Sequence, residues 1–103
     1  MGAFLEDLCF EAEQAAEKAV KAVFVHRGVS FPYIHDLDEL LQRLERSGVK
    51  IPKYVRQVDE LSPFAVVTRY PGLVGPVTKR QYRRAVRIAE AVLRWAERQI
   101  GKP

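Results

Sequence analysis

The chain has 103 residues, 48% of them hydrophobic and 29% charged, with a formal net charge of +4. That supplies one modest core and is too apolar for a disordered tail. The single cysteine, Cys9, rules out an internal disulfide, and no apolar run approaches the ~20 residues a membrane-spanning helix needs.

The first predicted element is a helix from Ala3 to Arg27, free of Gly and Pro and ending at Gly28. Leu5, Leu8, Ala12, Ala15, Ala19 and Val23 recur at three and four residues and make one shallow apolar face. Cys9 falls among them and reads as a small core residue. Phe4, Phe10, Val20 and Phe24 widen the apolar surface, so this helix wants more than one neighbour. Gly28 to Pro32 is a connector, and a second helix starts near Asp36. Asp36 followed by Glu39 has the spacing of a capping box, and Leu37, Leu40, Leu41 and Leu44 form the buried stripe before Ser47-Gly48.

Pro52 suits the first position of a third helix, with Tyr54, Val55, Val58 and Leu61 as apolar positions. Ser62-Pro63 is expected to kink or interrupt it, and Tyr70-Pro71-Gly72 to close it. Leu73 to Val77 reads as a loop. Thr78 and Gln81 then have capping-box spacing ahead of a long last helix. Tyr82, Ala85, Val86, Ala89, Leu93, Ala96 and Ile100 form its apolar face, and Ile88, Val92 and Trp95 flank it. The expected fold is all-α: one domain over residues 1–103, a compact antiparallel, up-and-down bundle of about four helices.

Charge gathers at the end of the chain. Lys79 to Arg98 carries seven basic and two acidic residues, a local excess of +5. Arg80, Arg84, Arg87, Arg94 and Arg98 fall along one helical face. Such a row suits phosphates, an acidic protein surface or plain solvation. Glu90 and Glu97 are spaced to pair with Arg94 and dilute it.

The catalytic inventory is thin. His26, His35 and Cys9 show no zinc-ligand spacing, no glycine-rich phosphate loop exists, and nothing calls for a metal or a cofactor. Asp36, Asp38 and Glu39 head a helix, where negative charge complements the dipole. His35 either packs against the second helix or serves as ligand contact or proton carrier. Arg69 either points into a cleft or satisfies helix C-terminal carbonyls. Lys18 and Lys21, three apart, share a helix face and form either a small phosphate-binding pair or solvated neighbours of Glu17.

The stretch Glu13 to Ala22 (EQAAEKAVKA), then His35-Asp36-Leu37 with Leu40-Leu41, then Arg69-Tyr70-Pro71, resembles the ordered signature of the HEPN family (higher eukaryotes and prokaryotes nucleotide-binding). The branch it is most similar to is the one paired with minimal nucleotidyltransferases, and the likeness runs from about Phe10 to the C-terminus. The resemblance implies a helical bundle, commonly a homodimer, with a minimal nucleotidyltransferase partner in a toxin–antitoxin-like pair. It implies nucleotide or nucleic-acid phosphate as ligand and Lys18, Lys21, His35 and Arg69 as the first binding residues.

Two departures follow. The ribonuclease motif of the family, Arg-x4–6-His, is absent, since seven residues separate Arg27 from His35. Relatives also carry a helix before the Gln-Ala-Ala-Glu-Lys helix, and its absence here is expected to leave an apolar flank for a partner. The reading is therefore a binding subunit that is not catalytic by itself. The alternatives are a metal-independent ribonuclease toxin using His35 and Arg69, and a dimerisation module without ligand. The opening Met1 to Asp7 has neither the basic region nor the apolar stretch of a signal peptide, so the cytoplasm is the expected location, and with no apolar run of spanning length no membrane is expected as a partner.

Overall fold

A computed structural model describes residues 2–31, 33–34, 36–66 and 76–101, with side chains from residue 5 onward and not for residue 66. His35, Arg69, the Tyr70-Pro71-Gly72 stop and the first part of the expected loop after it lie outside the described residues. The described elements are helices, α1 (Gly2–Arg27), α2 (Leu37–Arg46), α3 (Lys53–Arg56) and α4 (Lys79–Ile100), with a 3-10 segment, Gln57–Val66, continuing from α3. The fold is an all-α helical bundle, as the apolar spacing requires.

The helix ends follow the local chemistry of the sequence. Gly28 (φ 67°) and Gly48 (φ 108°) close α1 and α2 in a left-handed conformation that a Cβ would strain. At each, the glycine N–H and the next one turn back onto the helix. Gly28 donates to the Val25 carbonyl and Val29 to that of Phe24; Gly48 donates to Glu45 and Val49 to Leu44. Asp36 caps α2 by accepting from the Glu39 N–H at 3.2 Å. The reciprocal half of that expected box is not formed, because the Glu39 carboxylate takes the Arg43 guanidinium at 2.9 Å instead. Around α4 both halves form: the Gln81 N–H donates to Thr78 Oγ1 and the Thr78 N–H to Gln81 Oε1.

The third helical segment departs from expectation. Pro52 is the cap, α-helix lasts one turn, and the chain tightens into 3-10 geometry at Gln57, before Ser62-Pro63 is reached. Pro63 lies inside the 3-10 stretch rather than ending it. The buried residues explain this. Val55, Val58, Leu61 and Phe64 recur every three residues. At 3.0 residues per turn such a row becomes one straight ridge, whereas in an α-helix it would drift off the core.

The core is built mainly between α1 and α4, with the 3-10 segment against α1 and α2 closing the side. Trp95, Phe24, Leu37, Leu40, Leu41, Leu44 and Leu61 are its largest fully buried apolar side chains. Cys9 is fully buried too, and burial, aided by Glu6, pushes its thiol up from the ordinary range. No helix among the described residues is long and apolar enough to cross a membrane. The exposed apolar side chains do not gather on the middle of α1. Val25, Phe31 and Tyr33 lie at its C-terminal end and beyond, Tyr54 on α3, and Leu93 and Ile100 on α4; the last three were expected among the apolar positions of their helices.

Candidate anion-binding surface

Charged side chains take two different positions in this bundle. On α1, Glu13 and Glu17 stand one turn apart and are both buried. Gln14 Nε2 donates to Glu13 Oε1 at 2.7 Å, and Lys21 Nζ donates to Glu17 Oε2 at 2.7 Å. The Lys21 ammonium also sits 5.8 Å from the centroid of the Phe31 ring, which packs in turn on Phe24. Lys21 is therefore held by Glu17 and an aromatic face, while Lys18, three residues earlier, is exposed to solvent. The two lysines share a helix face as expected, but only Lys18 is presented outward.

On α4 the arginines face away from the core. Arg84 bridges to the 3-10 segment, its Nε and Nη2 donating to the two Glu60 carboxylate oxygens at 2.5 and 2.6 Å. That forked bond, more than the charge alone, holds the Glu60 carboxyl below its usual range and raises the Arg84 guanidinium. Arg98 donates to the Tyr54 hydroxyl. Arg80, Arg87 and Arg94 are exposed and take part in no ion pair among the described residues. The expected pairing of Arg94 with Glu90 or Glu97 is not formed. All three side chains are exposed, and an exposed i,i+4 ion pair is worth only a few tenths of a kcal/mol.

Beside Arg84 the surface opens into a cleft of about 140 Å³ lined by Glu60, Leu61, Phe64, Gln81, Arg84, Ala85 and Ile88. Its floor is apolar and its rim carries the Glu60–Arg84 bridge. Sequence reasoning selected Arg84 but neither Glu60 nor the cleft, and it treated Glu17 as a surface neighbour of Lys21. The signal for the buried acids is faint: Glu13 and Glu17 lie on the same side of α1 as Val20 and Phe24. Among the described residues no three of His, Cys, Asp and Glu come together to hold a metal ion.

An all-helical bundle whose last helix turns a row of guanidiniums outward is a module suited to anionic ligands. The model of the HEPN domain matches residues 2–99, and the chain belongs to that family, a family of nucleotide- and RNA-related modules. Neither the curated proteins nor the solved structures gave a match.

Proposed function

We propose that this HEPN-family chain is a binding subunit for nucleotide or nucleic-acid phosphate, not catalytic by itself. It works in the cytoplasm as a homodimer and in a two-component, toxin–antitoxin-like pair with a minimal nucleotidyltransferase. The observation that carries the ligand class is that five exposed arginines of α4, Arg80, Arg83, Arg87, Arg94 and Arg98, form no ion pair with a described residue, four of them on the row singled out above. Guanidiniums left without carboxylates are the groups that take phosphate in forked hydrogen bonds. Lys18, Lys21, His35 and Arg69 remain proposed ligand contacts by family resemblance. The missing Arg-x4–6-His motif supports the absence of ribonuclease activity.

The test is a thermal-shift series with mono-, di- and trinucleotides and short RNAs, with RNA integrity followed in the same samples. Stabilisation by a nucleotide with RNA left intact is the expected outcome. Cleavage that disappears in His35→Ala overturns the reading in favour of the ribonuclease toxin. No shift and no cleavage leaves the dimerisation module. Light scattering checks the assembly: a mass of one chain, 11.8 kDa, at micromolar concentration contradicts the homodimer.

A further inference from the structure

We infer that the 3-10 segment Gln57–Val66 is a strap that opens from α4 while the rest of the bundle stays folded, with the Glu60–Arg84 bridge as its latch. A comparison with α2, a stretch of equal length, shows why the strap is the weaker of the two. The ten residues of α2 form an α-helical ladder that starts on the Asp36 cap and buries Leu37, Leu40, Leu41 and Leu44. The ten residues of the strap take 3-10 geometry, whose hydrogen bonds are poorer and whose runs beyond roughly three or four residues are uncommon. Pro63 has no N–H, so the i→i+3 ladder is broken inside the strap. Its buried side chains, Val58, Leu61 and Phe64, form a single row, with Asp59, Glu60, Ser62 and Pro63 exposed between them.

On the side of α4 the strap is loosely seated. The cleft of about 140 Å³ lies between Leu61 and Phe64 of the strap and Ala85 and Ile88 of α4, so the two apolar rows do not fully close on each other. A gap of this kind forfeits the dispersion contacts that would otherwise cross it. Among the described residues, the side-chain hydrogen bonds from the strap to another element are those of Glu60 with Arg84. Both groups are about half exposed, so the latch is weak. The hinge is Gln57, where α-helix gives way to 3-10 geometry. The core is built mainly between α1 and α4, and that contact holds when the strap lifts. Lifting adds Arg84 to the arginines of α4 that are free of carboxylates and uncovers Ala85 and Ile88. The latch therefore sets whether α4 presents Arg84 free or tied to Glu60.

Native-state hydrogen exchange on the full chain, followed residue by residue by NMR over low urea concentrations, tests this. Protection of the strap amides is expected to be at least roughly tenfold lower than in the middle of α1 and α4, and to depend little on urea. Glu60→Gln removes the latch and lowers strap protection by up to roughly fivefold. Glu39→Gln removes a bridge of similar exposure inside α2, which the open form keeps, and so leaves strap protection unchanged. Strap amides that match those of α1 and α4 in protection and in urea dependence mean that the strap opens only when the whole bundle unfolds, and overturn the inference. Strap protection that falls as much in Glu39→Gln as in Glu60→Gln overturns it for the same reason. A Glu60→Gln variant whose strap exchanges like the wild type overturns the latch.

Discussion

The two long helices carry their charge in opposite ways. α1 buries two acids and holds Lys21 partly buried beside Glu17, at 22% side-chain exposure against 4% for Glu17. α4 buries only apolar side chains, Ala85, Ile88, Ala89, Val92, Trp95 and Ala96, and exposes every arginine it has. A charge removed from water is tolerated only when paired and hydrogen-bonded. The ion pair on α1 is therefore a structural commitment, whereas Arg80, Arg87 and Arg94 on α4 are a surface that the contacts of the described residues do not use up. The lesson is that the same residue types, both spaced at three and four, mean different things according to which side of the apolar arc they fall on.

Breaking the α1 pair has the largest expected effect. Lys21→Ala takes the ammonium from the buried Glu17 carboxylate and is expected to cost about 1–3 kcal/mol, the range for removing one partner of a buried polar group. Lys18→Ala, on the exposed side of the same helix, is expected to stay within about 0.5 kcal/mol. Urea denaturation of the two variants measures the contrast directly. Equal midpoints for both would remove the distinction between the two lysines.

Next comes the opposite manipulation on α4. Arg80→Gln/Arg87→Gln/Arg94→Gln removes three exposed charges that take part in no ion pair among the described residues, so the urea midpoint is expected to be nearly unchanged. The elution of the protein from a single-stranded RNA or heparin column is expected to fall to lower salt. Against single-stranded RNA, the slope of log affinity on log salt loses about 2 if all three arginines contact phosphate, at about 0.7 per contact. A stability loss comparable to that of Lys21→Ala, with no change in slope, would make the α4 row structural.

How much of this was legible follows from the geometry of each element. The limits of α4 were readable, because Thr78-Gln81 fixes its start, but its buried arc is rotated from the expected one: Ile88, Val92 and Trp95, read as a flank, are buried, and Leu93 and Ile100, read as part of the face, are exposed. The ends at Gly28 and Gly48 were readable, since only glycine takes those angles without strain. The three-residue period of Val55, Val58, Leu61 and Phe64 was present in the sequence and is the signature of the 3-10 segment, but against a helical expectation it passes for an imperfect α stripe. Two features were not legible. A glutamate beside an apolar face reads as its solvated margin until the neighbouring helices are in place, so Glu13 and Glu17 gave only a faint sign of burial, their place on the side of Val20 and Phe24. The Glu60–Arg84 bridge joins residues 24 apart and depends on the register between the 3-10 segment and α4, which no local pattern encodes.

The capping box distinguishes how each helix is held. α1 is locked by its burial, whereas the start of α4 depends on Thr78 and Gln81 to satisfy N–H groups that a row of cations at the same end does nothing to stabilise. Thr78→Ala is expected to cost about 1 kcal/mol, which for a domain of this size lowers Tm by about 4–8 °C. Thr78→Ser, which keeps the oxygen, restores most of it. If alanine and serine behave alike, the cap contributes nothing and the packing of α4 against α1 suffices.

The smallest effect is a pH dependence at the rim of the cleft, and its sign is fixed by the bridge. Glu60 has its carboxyl lowered in the folded protein, chiefly by the forked hydrogen bond from Arg84, from an ordinary value of 4.5. A lowered folded value means that the contribution is complete at neutral pH, begins to fade near the unfolded value and disappears as pH falls through the folded one. Both partners are about half exposed, so solvent screens the pair and the contribution is small. Glu60→Gln removes the titrating group. The variant is therefore expected to match the wild type in stability below the carboxylate range and to fall slightly behind it above. Raising the salt concentration should narrow that gap at neutral pH, since exposed charges are screened within about a nanometre. A gap that widens towards acid instead would mean that Glu60 is stabilised in its protonated form, and the bridge to Arg84 would not be the dominant contact at this rim.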